Sequence, residues 1–131
     1  MPERSADWIG QAERDIKNAE WELEGKYYEW GCFVSQQAAE KALKSVYQKL
    51  AGDAWGHSTR ELLVGLKDKI SVSDELVKYA SYLDKFYIPS RYPNGWPNGK
   101  PGDYITEEET KNAISYSKKI IAFCKDILAK R

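Results

Sequence analysis

The sequence predicts an all-α protein, an antiparallel up-and-down bundle of four long helices and one short helix. The first observation is the stretch from residue 27 to residue 50, which has no Pro and, after Gly31, no Gly. The second is that its small and apolar residues recur at steps of three and four, which places them on one helical face. The third is that the chain lacks the alternating pattern of a half-buried strand. The residues of this face are Cys32, Ser35, Ala39, Ala42, Leu43, Val46 and Leu50.

We interpret residues 27–50 as the central helix, because the stretch is rich in residues that lose least on entering a helix. The middle of its apolar face is small, so a neighbouring backbone can approach closely. Glu40 and Lys44 are four apart with the acid first, which is the favourable order, and we expect them on the opposite face. Gln36 borders the apolar face, and two placements stay open: a bond across helices, or exposure to solvent or an interface.

The first predicted helix begins at a Ser5 cap and runs to about Glu24. Gly25 ends it, as glycine often does just past a helix. The short connection to Tyr27 predicts an antiparallel hairpin with the central helix. The apolar stripe of this first helix consists of Trp8, Ile9, Ala12, Ile16, Ala19 and Leu23.

Two further helices follow the central one. Ser58 and Glu61 are three residues apart, the pattern of a capping box, and they predict a short third helix. Ser73 is the predicted cap of a fourth helix, which we expect to end at Pro89 because the residue before a proline avoids helical geometry. The inward residues of the third helix are Leu62, Leu63 and Leu66.

Residues 90–105 are predicted to form a loop. The loop repeats a Pro-Asn-Gly triplet, followed once by Trp96 and once by Lys100, and this composition is typical of successive tight turns. A loop of this length in a compact domain is usually functional or disordered, and its aromatic residues argue against plain disorder. Thr106 and Glu109 form a second capping box and begin the last helix.

The composition limits the class of protein. A length of 131 residues suits one domain spanning residues 1–131. Its 20 basic and 20 acidic residues leave no basic excess, so any contact with nucleic acid must be local. No apolar run approaches the length of a membrane span, and the charged N-terminus is unlike a secretory signal. We therefore expect a cytoplasmic protein in which Cys32 and Cys124 are reduced thiols, with one disulfide as the alternative.

The chemistry-bearing residues are few. His57 is the single histidine, and with two scattered cysteines it cannot form a usual zinc cluster, so we expect neither a metal nor another cofactor. Two roles stay open for His57: a group that titrates near neutrality, or a loop residue that fixes the start of the third helix.

The candidate site is the segment 87–93, where the fourth helix ends. Arg91 can present a planar fork to a phosphate or carboxylate. Tyr87, Tyr92 and Trp96 can stack on a base. The alternative is that Arg91 pairs with a local acid or with the carbonyl groups at the helix end; the acids concerned are Asp84 and Asp103.

An aromatic surface is a further candidate. Phe33 falls on the polar side of the central helix, where one exposed phenylalanine needs no explanation. Together with Tyr27, Trp30 and Tyr47 it forms a patch that predicts self-association.

Four motifs, taken together, resemble the HEPN domain family. Each motif is modest alone, but their order and spacing cover nearly the whole chain. They are residues 7–15, the stretch FVSQQAAEKALK at 33–44, Gly56-His57-Ser58 leading into Glu61-Leu62-Leu63, and Tyr87-Ile-Pro-Ser-Arg91-Tyr-Pro93, followed by Tyr104 and a terminal helix.

The resemblance implies an antiparallel helical bundle that commonly forms homodimers. It also implies pairing with a small nucleotidyltransferase encoded nearby, in a toxin–antitoxin system. Many members are metal-independent ribonucleases that use an Arg and a His four to six residues later. In this chain no histidine follows Arg91, and His57 lies upstream.

Because the motif His is missing, and Tyr, Asn and Trp cannot carry its proton near neutral pH, the leading prediction is a non-catalytic module. It would bind a nucleotide, RNA or a nucleotidyltransferase around Arg91, Tyr92 and the Pro-Asn-Gly loop. The first alternative is an endoribonuclease that uses Arg91 with His57. The second is a homodimerising scaffold without a ligand.

Overall fold

The computed structural model describes residues 3–50 and 52–130, and within them it contains five α-helices and no strand. The predicted all-α class is therefore confirmed. Three short 3₁₀ turns, at Leu66–Asp68, Pro93–Gly95 and Pro101–Asp103, accompany the helices. The helices are α1 (Ser5–Glu24), α2 (Tyr28–Lys49), α3 (Thr59–Gly65), α4 (Asp74–Asp84) and α5 (Glu107–Lys130).

Helix α2 is the centre of the bundle and packs against all four other helices. Helices α1 and α2 form the predicted antiparallel hairpin, joined by only three residues. Gly25 follows α1 as expected but keeps right-handed helical geometry, and the left-handed residue of the connection is Lys26, with a φ of 67°. The predicted apolar face of α2 is fully buried up to Val46, whereas Leu50 is half-buried.

Small and polar residues line the contact between α2 and α5. Thr110 is fully buried, and its hydroxyl lies 2.9 Å from the carbonyl oxygen of Tyr28. Ser117 donates a hydrogen bond of 2.7 Å to the carbonyl oxygen of Ser35. A Cβ atom added at Gly31 would lie 2.5 Å from the Thr110 Cγ2 methyl group, so the two helices approach closely there.

Two predictions about single side chains are wrong. Ser5 does not cap α1: it is the first helical residue, Arg4 is the cap position without a side-chain bond, and the Glu3 carboxylate accepts from the Ser5 amide instead. An acidic side chain suits that position because the helix N-terminus carries partial positive charge. Glu40 is not on an exposed face; it is 4 % exposed, because the segment before α3 covers this part of α2. Glu40 nevertheless pairs with Lys44 at 3.1 Å.

Helix α4 ends at Asp84, five residues earlier than predicted. The pyrrolidine ring of a proline clashes with the carbonyl group four residues before it in an α-helix, and it has no N–H, so Pro89 excludes the α-helical hydrogen bond to the Lys85 carbonyl group. Lys85 itself keeps right-handed helical dihedral angles. The chain continues to Arg91 in tighter turns, in which the Phe86 amide donates to the Leu83 carbonyl oxygen at 3.0 Å.

The remaining predicted caps are confirmed. Ser58 accepts from the Glu61 amide at 3.0 Å, and Ser73 accepts from the Leu76 amide at 3.2 Å. The second capping box is reciprocal: Thr106 Oγ1 accepts from the Glu109 amide at 3.1 Å, and Glu109 accepts from the Thr106 amide at 3.0 Å.

The loop before α5 is ordered by its own side chains. The rings of Trp96 and Tyr104 stack with centroids 4.5 Å apart, and Trp96 Nε1 donates to the Pro89 carbonyl oxygen at 2.8 Å. In the second Pro-Asn-Gly triplet Gly99 adopts a left-handed φ of 72°.

Two class predictions are also tested by the fold. Cys32 and Cys124 are both buried free thiols, so they form no disulfide. Across the part of the chain that the structure describes, no helix combines the length and the apolarity that crossing a membrane requires.

Candidate functional site

Arg91 lies on the last of the turns after α4, and its guanidinium group is surrounded by aromatic rings. Its Cζ atom is 4.2 Å from the centre of the Phe33 ring, 4.8 Å from that of Tyr87 and 5.2 Å from that of Tyr92. Each such cation–π contact contributes about 0.5–1 kcal/mol at an exposed site. These rings therefore hold the guanidinium group in place on the outside of α2.

The hydrogen bonds of Arg91 leave most of its donors free. Nε donates to the Tyr87 carbonyl oxygen at 2.9 Å, so the expected contact with a helix-end carbonyl exists. The two expected acids are engaged elsewhere: Asp84 binds the start of α3, and Asp103 pairs with Lys100 at 2.9 Å. Within residues 3–50 and 52–130, no carboxylate pairs with Arg91 and its terminal nitrogens form no hydrogen bond.

Tyr87 connects Arg91 to His57. The His57 ring stacks on the Tyr87 ring with centroids 5.0 Å apart and planes 16° apart. Arg91 Cζ lies 4.8 Å from the centre of the same ring. The fold thus brings His57, from the segment before α3, into one cluster with residues from the end of α4. The predicted ligand-binding residues Tyr87, Arg91 and His57 are therefore neighbours.

Two side chains of α2 contact His57. Gln36 is fully buried, and its Nε2 donates to the His57 carbonyl oxygen at 2.7 Å, which confirms the inward placement of Gln36. His57 Nδ1 is 3.3 Å from each carboxylate oxygen of Glu40. These contacts of backbone and ring agree with the second role considered for His57, that of a residue which fixes the start of α3.

A hollow of about 200 Å³ opens beside this cluster and is lined by His57, Ser58, Asp84 and Tyr87. The Asp84 carboxylate accepts from the Thr59 amide at 2.8 Å and from the Ser58 hydroxyl at 2.7 Å. It therefore ties the end of α4 to the start of α3 and fixes the two walls of the hollow relative to each other.

Two of the predicted ligand-binding aromatics are placed differently from each other. Tyr92 is 49 % exposed beside Arg91, so it remains accessible to a ligand. Trp96 instead packs inside the loop, stacked on Tyr104 and bonded to the Pro89 carbonyl oxygen. Trp96 is thus a support of the segment that carries Arg91, and no contact places it in the cluster.

Two contributors lie outside the set that sequence reasoning assigns to the site. The sequence pattern places Phe33 in a self-association patch, but its ring is the closest aromatic contact of Arg91. The same pattern places Glu40 on an exposed helix face. The spacing of Phe33, Gln36 and Glu40 at steps of three and four is the one signal that places them on a common face of α2.

The predicted self-association patch is only partly assembled. Tyr27 and Trp30 are 59 % and 43 % exposed, and Trp30 contacts Phe33 edge to face at 6.0 Å. Tyr47 does not belong to this patch, because its hydroxyl donates to the Leu62 carbonyl oxygen at 2.7 Å beneath α3.

The described surface contains a larger hollow away from Arg91. A groove of about 810 Å³ runs between α1 and α5 over Leu23 and Ile114. Among its rim lysines, Lys118 already pairs with Glu20 at 3.1 Å. No group of three or more His, Cys, Asp or Glu residues suited to hold a metal ion occurs in the described residues.

The matches to known proteins cover nearly the whole chain. The family model described as HEPN domain matches residues 5–127. TT1696 from Thermus thermophilus is 39 % identical with a TM-score of 0.93, covering 96 % of this chain and 99 % of that one. ST0689, an archaeal HEPN homologue, is 39 % identical with a TM-score of 0.81, and the match covers 96 % of this chain and 98 % of that one.

A third solved structure is similar as well. It is TM0613, a HEPN domain protein from Thermotoga maritima, which is 36 % identical with a TM-score of 0.80, covering 95 % of this chain and 99 % of that one. The comparison with curated proteins finds no match.

Proposed function

This chain belongs to the HEPN domain family, and from that premise we propose that it is a non-catalytic module that binds a nucleotide or RNA at Arg91. The observation that carries the proposal is the state of the guanidinium group. Its terminal nitrogens have no acceptor among residues 3–50 and 52–130, while three aromatic rings hold it in place. A guanidinium fork with free donors suits an anionic acceptor such as a phosphate.

The surroundings of Arg91 favour a nucleotide over a bare anion. Tyr92 is about half exposed next to the guanidinium group, and aromatic side chains of this kind stack on bases regardless of sequence. The balanced net charge of the chain fits a local contact with a few phosphates rather than a long backbone interface.

Titration of ATP and of a short labelled RNA against the wild type and Arg91→Ala tests this function. Charge-assisted hydrogen bonds contribute about 1.5–3 kcal/mol each, so we expect the variant to lose at least about tenfold in affinity. Arg91→Lys keeps the charge but not the fork and should retain only part of the affinity.

The matched control is Lys85→Ala, which removes one positive charge from the turns after α4, over the Tyr82 ring. We expect this variant to bind like the wild type. Equal binding by the wild type and both alanine variants, or no binding at all, would refute the proposed ligand site.

The arrangement around Tyr87 favours a second candidate, a metal-independent endoribonuclease. His57 and Arg91 each lie about 5 Å from the centre of the Tyr87 ring, so both belong to the same part of the surface. His57 would supply the acid–base group that the sequence lacks after Arg91. Cleavage of RNA in the presence of EDTA, abolished by His57→Ala and by Arg91→Ala, would establish this activity. Absence of cleavage by the wild type would leave the binding module.

Assembly is part of the proposal. Tyr27, Trp30 and Phe33 form a partly exposed aromatic surface, which suits a homodimer. A small nucleotidyltransferase encoded next to this chain is the other partner we propose, as in a toxin–antitoxin pair. Light scattering after size exclusion tests the homodimer, with Trp30→Ala expected to shift the mass towards a monomer. Coexpression with such a neighbour tests the pair.

A further inference from the structure

The buried carboxylate of Glu40 has no role in the function described so far. It is 4 % exposed, and burying a charge in this way is unfavourable unless the charge has partners. Lys44 Nζ lies 3.1 Å from Oε2, and Gln37 Nε2 lies 3.4 Å from Oε1. The third partner is His57 Nδ1, at 3.3 Å from both oxygens. The carboxylate therefore lies between a fixed cation and the imidazole ring.

The chemistry of these groups determines where the imidazole proton lies. An ionised carboxylate only accepts hydrogen bonds, so Nδ1 must carry the proton if it is to bond to Glu40. In a neutral imidazole the other nitrogen, Nε2, is then an acceptor. The ring plane is fixed by stacking on Tyr87, and the His57 backbone is fixed by Gln36.

We propose that Glu40 is a positioning residue, which holds neutral His57 in the Nδ1–H tautomer and keeps Nε2 as an acceptor. The His57 side chain is 58 % exposed, and Nε2 has no hydrogen-bond partner in the part of the chain that the structure describes. The other charged group at this edge is Asp84, which is occupied by the start of α3. Nε2 is thus free to meet a ligand.

An NMR experiment observes the tautomer directly. His57 is the only histidine, so a long-range ¹H–¹⁵N correlation spectrum of the full chain shows a single imidazole. The spectrum is recorded over a series of pH values, and the tautomer is read from the spectra in which the ring is neutral. We expect Nδ1 to carry the proton in the wild type, and Glu40→Leu to shift the population towards Nε2–H.

The control for this experiment is Lys44→Met, which removes the other strong partner of Glu40 and leaves the contact with His57. We expect it to keep the Nδ1–H tautomer, which separates the proposed role from a general loss of the ion pair. A predominantly Nε2–H ring in the wild type would overturn the proposal by itself, so the result does not depend on whether the Leu variant folds.

Discussion

Replacing Gly31 with Ala tests how closely α2 and α5 approach each other. The added methyl group would lie 2.5 Å from Thr110 Cγ2, and the two atoms cannot both keep their places. Overpacking of this kind costs about 1–3 kcal/mol of unfolding free energy. An alanine in a helix interior is about 0.8–1 kcal/mol more favourable than a glycine, which offsets part of that cost.

Gly10→Ala provides the matched control for this substitution. Gly10 lies within α1, is exposed, and would meet no atom within 4 Å. Its replacement should therefore stabilise the protein by about 0.8–1 kcal/mol through helix propensity alone. Because both substitutions change the same groups, the difference between them isolates the packing clash, and we expect that difference to be about 1–3 kcal/mol in urea unfolding.

The double variant Gly31→Ala with Thr110→Ser sharpens the test. Serine keeps the hydroxyl that lies 2.9 Å from the Tyr28 carbonyl oxygen but removes the methyl group that clashes. Thr110→Ser alone should cost about 1 kcal/mol for the lost buried methyl group. We expect a coupling energy of at least about 1 kcal/mol between the two sites. The close approach of α2 and α5 would be refuted if Gly31→Ala were as stable as Gly10→Ala and if the effects of Gly31→Ala and Thr110→Ser were additive.

Three more predictions concern the support of the site and the buried thiols. Asp84→Ala should lower the unfolding free energy by about 2–4 kcal/mol, because it removes the acceptor at the start of α3 and leaves buried donors unpaired. The control Asp103→Ala should change the unfolding free energy little in the same denaturation assay. Burial raises the pKa of the Cys32 thiol to about 12 and that of Cys124 as well, so a disulfide reagent at pH 8 should titrate neither thiol until denaturant is added. Hydrogen bonds from Lys100 lower the pKa of Asp103. The stabilisation that ionised Asp103 gives to the turn is therefore present above the ordinary carboxyl pKa of about 4 and is lost as pH falls through the lowered pKa. Amide NMR shifts of the turn should report this loss.

The elements that sequence reasoning predicts well are those determined by local chemistry. The helical face of α2 follows from its three- and four-residue spacing, and the caps at Ser58, Ser73 and Thr106 follow from hydrogen bonds within one turn. Such features depend on neighbours in the chain, so they are visible without the fold. The end of α4 is an exception: its cause at Pro89 is local as well, yet the predicted end lies five residues too late.

The features that sequence reasoning misses depend on distant segments. Glu40 fits an exposed helix face by spacing, and only the return of the chain before α3 buries it. Phe33 lies on the polar side of α2, and only the turns after α4 place Arg91 over its ring. The contact of His57 with Tyr87 joins two segments that are far apart in the sequence, which no periodic pattern encodes.

The bond from the Trp96 indole to the Pro89 carbonyl oxygen closes the segment 89–96 into a ring, with Arg91 and Tyr92 between its ends. The conformational entropy of this segment has thus already been lost during folding. A molecule that docks on Arg91 therefore meets a preorganised backbone, and its association has little chain ordering to offset.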